Sequence, residues 1–200
     1  MKNGIFILLL IIWTGSCRND SVDTSVENQI PEVKSEILEP AQNKIQYELV
    51  ADGKPLPIAN LKTPENKVVK TKRFKNKPLV INFWASWCEP CLTDTPKFQE
   101  LSEDYPEANF ISVSIDNKMG EWKQFLVEKN WSGNHFFIGR NEENPLFPLV
   151  YSEISSEEVQ GVHIALPKYI FITKDGTISK RNSSNPQSTA FRHALNEFLK

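Results

Sequence analysis

The chain has 200 residues, 40% of them hydrophobic, and its formal net charge at pH 7 is −2. This length usually corresponds to one domain with tails, and 12 Phe residues are enough for a hydrophobic core. The balanced charge provides no basic surface for nucleic acid or for an anionic membrane, so we exclude nucleic-acid binding. The 3 cysteines, Cys17, Cys88 and Cys91, are too few for a disulfide-stapled secreted scaffold.

The first 16 residues have the composition of an export signal. Lys2 precedes the apolar residues 5–13, and small residues follow at 14–16. The apolar stretch is shorter than the roughly 20 residues that a transmembrane helix needs. We therefore predict export to the cell envelope, facing the periplasm. Because Cys17 directly follows the small residues, as in a bacterial lipoprotein signal, we predict that it carries lipid and anchors the chain to a membrane. Simple cleavage without lipid is the alternative.

Residues 17–44 are predicted to be a flexible tether, because they are polar and too poor in apolar side chains to offset the entropy of ordering. The ordered domain is predicted to span 45–200. Ile45, Tyr47 and Leu49 alternate with polar residues ahead of an Asp-Gly turn pair. This pattern predicts an N-terminal β-hairpin extension.

The rest of the chain alternates strand and helix patterns. The most regular of them is 79–84, an apolar run that is typical of a strand buried on both faces. Strands are also predicted at 110–115 and 168–173, with a hairpin partner at 177–181 and a further candidate at 135–138. Helices are predicted at about 91–105, at 121–130 and at the C-terminus. This order predicts an α/β fold in which helices flank a central mixed sheet.

Cys88 and Cys91 lie between the buried strand and the first of these helices. At a helix start, unpaired N–H groups and the helix dipole stabilise a thiolate, so Cys88 is the predicted nucleophile. Cys91, one turn further, would resolve the mixed disulfide. Pro90 fits the first helical turn, where a missing N–H is harmless.

Three other uses of the two cysteines stay open. A structural disulfide would close so short a loop that it removes little unfolded-state entropy. A zinc site usually needs four ligands, and His135 and His163 are the candidate partners. A copper carrier with thiolate and histidine ligands is the third alternative.

The segment from Phe83 to Cys91, Phe-Trp-Ala-Ser-Trp-Cys-Glu-Pro-Cys, resembles the active site of the thioredoxin superfamily. Together with the export signal and an acid-x-Pro sequence after the second cysteine, it resembles the TlpA/ResA-type periplasmic thiol-disulfide oxidoreductases. The resemblance implies a thioredoxin-like fold over residues 45–200 and a redox-active Cys88–Cys91 disulfide. It implies no cofactor or metal.

The resemblance also implies roles for four neighbours of the cysteines. Pro167 would form a cis peptide bond with Leu166 and face the disulfide, and the Leu166 backbone would pair with a substrate strand. Asp94 stands where the family usually has Glu, and would move protons during exchange. Trp87 would contact the substrate. The alternative interpretations, which assign no function, are a trans peptide bond at Pro167 and a solvent-exposed acid on the helix at Asp94.

The sequence therefore predicts an exported, monomeric oxidoreductase that reduces protein disulfides and receives electrons from an unidentified donor. A thiol peroxidase on the same fold is one alternative. A non-catalytic thioredoxin-like binding module is another.

Overall fold

The computed structural model describes residues 40–155, 160–181 and 183–200. The predicted export signal at 1–16, Cys17 and the tether up to residue 39 lie outside the described residues, so these remain predictions. Among the residues that are described, no helix combines the length and the apolar content needed to cross a bilayer.

The described elements follow the predicted alternation of strands and helices. Their bounds in chain order are α1 Pro40–Leu49, β1 Asn60–Lys62, β2 Val68–Lys70, β3 Leu79–Trp84, α2 Glu89–Asp104, β4 Asn109–Ser114, α3 Met119–Glu128, β5 His135–Phe137, β6 Tyr151–Ser155, β7 Gln160–Ile164, β8 Lys168–Ile172, β9 Ile178–Lys180 and α4 Thr189–Phe198. Short 3₁₀ helices span Thr71–Phe74 and Phe147–Val150.

The main sheet is mixed and has the order β2-β1-β5-β4-β3-β8-β9, and β6 pairs with β7 in a separate ribbon. β3 runs parallel to β4 and antiparallel to β8. All residues of β3 are buried, because neighbours cover both of its edges and both of its faces. This explains why the segment is apolar without alternation.

Three helices pack on one face of the sheet. Phe98 of α2 and Phe191 of α4 both contact Tyr169, and Phe125 of α3 contacts Trp84 on the same face. The strands β3, β4 and β5 follow one another in a single direction along the sheet, so right-handed crossovers bring both connecting helices to one side.

The opposite face is covered by α1, the β6–β7 ribbon and the 3₁₀ helices. Phe74 contacts Phe136 there, and the ammonium group of Lys168 lies 5.9 Å from the ring centre of Tyr47 in α1. Helices therefore flank the sheet on both sides, and the prediction of a thioredoxin-like α/β fold is confirmed.

The predicted N-terminal β-hairpin is wrong, because residues 45–49 belong to helix α1. Tyr47 and Val50 are buried, whereas Ile45 and Leu49 are 60% and 68% exposed. A spacing of three buries one face of a helix, and the alternation with polar residues was coincidental. The hairpin at this end of the chain forms later, between β1 and β2, where Leu61 pairs with Val69.

Other boundaries agree to within two residues, except for the β6–β7 ribbon. The sequence predicts no strand at the position of β6 or β7. Within β6 only Tyr151 is buried, so the strand has no apolar stripe that would identify it.

Candidate functional site

Cys88 and Cys91 form a disulfide at the junction of β3 and α2, with their Cα atoms 5.2 Å apart. Cys88 is the N-cap residue of α2, and its Sγ accepts a hydrogen bond from the Cys91 N–H at 3.3 Å. Pro90 occupies the first turn of the helix, as predicted. The sulfur of Cys88 therefore lies at the end of the helix where unpaired donors favour negative charge.

The two cysteines differ in their access to solvent. Cys91 is fully buried, whereas Cys88 retains 6% exposure at the edge of the site. Trp87, the residue before it, is 58% exposed. Trp87 therefore adds exposed apolar surface directly before Cys88, while Cys91 has no surface exposed to solvent.

The peptide bond between Leu166 and Pro167 is cis, which confirms that prediction. Pro167 directly precedes β8, and the first residue of this strand, Lys168, pairs with Phe83 of β3. The proline and the two cysteines therefore lie at the same edge of the sheet.

Asp94 is buried on the inner side of α2, one turn beyond Cys91, and is 5% exposed. The Tyr169 hydroxyl donates to its Oδ2 at 3.1 Å, and Nε2 of Gln187 donates to its Oδ1 at 2.8 Å. Burial, followed by the charge of Asp94, raises the pKa of Tyr169, so that this hydroxyl stays a proton donor. The burial excludes the interpretation of Asp94 as a solvated helix acid.

Lys168 is a buried cation that sequence reasoning missed. It is 3% exposed, and its ammonium group donates to the Tyr151 carbonyl and, at 3.0 Å, to the Ser152 hydroxyl. Burial, with a smaller contribution from Arg181, lowers the pKa of Lys168 to about 7. The feature of the sequence that could have indicated Lys168 is its position directly after the predicted cis proline.

Asp116 is a second buried ionisable residue near the cysteines, and the sequence does not indicate it as part of the site. Its Oδ1 accepts hydrogen bonds from the Ser86 N–H at 2.9 Å and from the Ser86 hydroxyl at 2.7 Å. Its Oδ2 accepts from the Ser114 hydroxyl at 2.6 Å. The carboxylate thus connects the end of β4 to the turn that precedes Cys88.

The two histidines considered as zinc or copper ligands belong to different sheets. His135 is buried in β5, where burial lowers its pKa and its Nε2 lies 2.9 Å from the Ser132 carbonyl. His163 is exposed in β7. Within the described ranges, no group of three or more His, Cys, Asp or Glu residues has the arrangement of a metal site.

Comparison with known proteins gives one family match. The Redoxin family model matches residues 51–196, which include both cysteines, Asp94 and Pro167.

Curated relatives align over shorter stretches. Thioredoxin H8 of Arabidopsis thaliana is 44% identical over 50 residues, which is 25% of this chain and 34% of that protein. The thiol-disulfide oxidoreductase ResA of Bacillus thuringiensis subsp. konkukian is 34% identical over 64 residues, 32% of this chain and 37% of that protein. The chain thus spans about a third of the length of these two relatives.

Among solved structures, a thiol-disulfide oxidoreductase from Bacteroides vulgatus superposes with a TM-score of 0.62. The match covers 76% of this chain and 99% of the other, at 22% sequence identity. At this identity the likeness shows the shared fold.

Proposed function

This chain belongs to the Redoxin family, as a TlpA/ResA-type member of the thioredoxin superfamily, and from this premise we propose that it is an exported thiol-disulfide oxidoreductase that reduces protein disulfides. One observation carries the proposal: Cys88, which retains 6% exposure, caps helix α2 and is joined to a fully buried Cys91. This arrangement suits an attacking and a resolving thiol.

The reaction begins with the reduced pair. The Cys88 thiolate, stabilised by the N-terminus of α2, attacks one sulfur of a substrate disulfide, whose S–S bond breaks. The other substrate sulfur leaves as a thiolate and takes up a proton. Cys91 then loses its proton and attacks the Cys88 sulfur, releasing the second substrate thiol. Two electrons pass to the substrate, and the chain keeps the Cys88–Cys91 disulfide.

We assign the proton transfers to Asp94. Its carboxylate is buried one turn beyond Cys91 and is oriented by Tyr169 and Gln187. A buried carboxyl fixed in this way can accept the Cys91 proton as this thiol becomes the attacking group.

The substrate contacts would come from the surface around Cys88. Trp87 offers exposed apolar area, and the Leu166 backbone, ahead of the cis Pro167, would pair with an extended substrate segment. An unidentified electron donor would return the electrons. We expect the domain to act as a monomer.

The place of action follows from the sequence of the N-terminus. The export signal at 1–16 and lipid on Cys17 would hold the domain at a membrane of the cell envelope, facing the periplasm. The predicted tether at 17–44 would then be shorter at its end, because its last five residues belong to helix α1. The similarity to the thiol-disulfide oxidoreductase ResA supports assignment of this chain to the TlpA/ResA-type proteins.

Turnover of insulin disulfides with dithiothreitol as the electron source tests the proposal. The full chain should accelerate insulin reduction, Cys88→Ala should abolish the acceleration, and Cys17→Ser should retain it. Peroxide consumption by Cys88 without insulin reduction would indicate the thiol peroxidase instead. No turnover of either substrate would favour the non-catalytic binding module.

A further inference from the structure

The residues that precede Cys88 form a turn, which closes with a hydrogen bond from the Cys88 N–H to the Ala85 carbonyl at 3.1 Å. Ser86 lies inside this turn, and both its N–H and its hydroxyl bind Asp116. The two residues are 30 positions apart. The side chain of Asp116 therefore fixes the turn that sets the position of Cys88.

Asp116 is itself fixed by hydrogen bonds to Ser114. Its carboxylate is 3% exposed, and its own N–H donates to the Ser114 hydroxyl at 3.0 Å, while the same hydroxyl donates to its Oδ2. The carboxylate accepts three hydrogen bonds in all, two from Ser86 and one from Ser114. Asp116 thus combines a fixed geometry with a buried negative charge.

This charge is close enough to act on the Cys88 sulfur. Ser86 is two residues from Cys88, so the chain limits the distance between their Cα atoms to about 7 Å. Because Asp116 Oδ1 lies 2.9 Å from the Ser86 nitrogen, its carboxylate is on the order of 10 Å from the Cys88 sulfur. At the effective dielectric constant of about 20 that is typical of proteins, a charge at this range changes a thiolate population about tenfold, and screening by salt over about one Debye length reduces the change to several-fold.

Other charges adjoin the turn in different ways. Glu89 is exposed at the start of α2, so solvent and salt screen its charge. Asp94 is buried beyond Cys91 and binds Tyr169, and Lys168 lies on the opposite face of the sheet. Asp116 is the charged residue hydrogen-bonded to the turn itself.

We propose that Asp116 is a positioning residue that fixes the 85–88 turn and that its charge opposes the effect of the helix N-terminus on Cys88. The inference rests on the proposed function of the Cys88–Cys91 couple. By disfavouring the thiolate of the reduced protein, Asp116 makes the couple more strongly reducing, because a less stable reduced form yields its electrons more readily.

Alkylation of the reduced full chain by iodoacetamide tests this, with each cysteine followed separately by mass spectrometry. Asp116→Asn preserves the shape of the side chain and removes its charge. We expect Cys88 in this variant to react about threefold faster at pH 6 than in the wild type, because more of it is thiolate. The glutathione redox equilibrium should also shift toward the reduced couple.

A second variant should change the alkylation rate of Cys88 in the opposite direction. The double substitution Ser86→Ala, Ser114→Ala keeps the charge of Asp116 but removes two of its donors, so the Cys88 thiolate faces a less compensated carboxylate. Alkylation of Cys88 at pH 6 should then be slower than in the wild type. This variant also serves if Asp116→Asn does not fold.

Asp104→Asn is the control, because this exposed carboxyl lies at the far end of α2, and it should leave the Cys88 rate unchanged. Wild-type alkylation rates in a folded Asp116→Asn protein, or in the double serine variant, would overturn the proposal. Alkylation needs no turnover of substrate. Its outcome is therefore independent of the insulin assay, in which the proposed function itself would fail.

Discussion

Buried ionisable side chains near the disulfide define the site at the scale of single residues. The pairing of Cys88 with Cys91 could be predicted, because the sequence from the buried strand to the Cys-x-x-Cys motif is local and specific. The cis bond at Pro167 could be predicted only from the resemblance to the family. The pairing of Ser86 with Asp116 could not, since it depends on how two parallel strands align. The burial of Lys168 depends in the same way on a ribbon that lacks an apolar pattern.

Asp94→Asn tests the role of the buried acid in proton transfer. The substitution keeps an acceptor for Tyr169 but removes the group that takes the Cys91 proton. We expect the rate of insulin reduction to fall by about tenfold or more at pH 7, and its pH profile to change shape. Glu103→Gln, an exposed acid on the same helix, should behave as the wild type. Identical pH profiles for Asp94→Asn and the wild type would remove the proposed role.

The burial of Lys168 should make the free energy of unfolding depend on pH. The pKa of Lys168 is lowered from 10.5 to about 7 in the folded chain, chiefly by burial. Between these two pH values the unfolded chain binds a proton that the folded chain lacks, so the free energy of unfolding rises with pH in this window. Below the lower value the destabilising effect of burying the charge is present in full.

The measurement compares Lys168→Met with the wild type by urea unfolding from pH 6 to pH 9. Removal of the amine should favour the variant most at pH 6, and this advantage should decrease by roughly 1 kcal/mol per pH unit above pH 7. Lys180→Met, on the exposed part of β9, is the control. A stability difference that does not vary with pH would contradict the lowered pKa of Lys168.

Elements were predictable where their hydrophobic pattern was set by their own neighbours. β3 was predicted at its observed bounds, because burial on all sides makes every position apolar. α1 was mistaken for a strand, because Tyr47 is buried within it while Val50, the next buried apolar residue, lies just beyond its end at Leu49. No local feature distinguishes a short amphipathic helix with exposed Ile45 and Leu49 from an edge strand.

Tyr47→Ala tests the assignment of α1. The ring of Tyr47 lies under the Arg181 guanidinium, 3.6 Å from its central carbon, and the Tyr47 carbonyl accepts a hydrogen bond from Arg181 at 3.0 Å. Loss of this buried ring should lower the free energy of unfolding by about 3 kcal/mol. Leu49→Ala, at an exposed position, should change it by less than about 0.5 kcal/mol. In a hairpin with the predicted alternation, both substitutions would be costly.

At the scale of the whole molecule, the domain combines a family fold with an N-terminal segment that would determine its location. The fold follows from the order of strands and helices, because right-handed connections leave few arrangements of such a sheet. Location would depend on processing at Cys17, a prediction that rests on composition and position alone.

Metabolic labelling with a fatty acid tests the anchor. In a bacterial host that processes lipoproteins, the wild-type chain should take up label and sediment with membranes, whereas Cys17→Ser should do neither. Cys88→Ser should be labelled like the wild type, since its substitution leaves the N-terminus intact. An unlabelled wild-type chain would show that Cys17 is not lipidated, without affecting the thiol chemistry of the domain.

The proposed function requires that Cys88 attacks substrate disulfides and that Cys91 resolves the intermediate. Trapping measures it most directly: Cys91→Ala is expressed in the cell envelope, free thiols are blocked, and protein adducts that dissociate on reduction are identified. We predict mixed disulfides through Cys88 that accumulate in Cys91→Ala and disappear when Cys88→Ala is added. The opposite result is that Cys91→Ala forms no such adducts even though its Cys88 reacts with iodoacetamide. That result would contradict the attack of Cys88 on substrate disulfides.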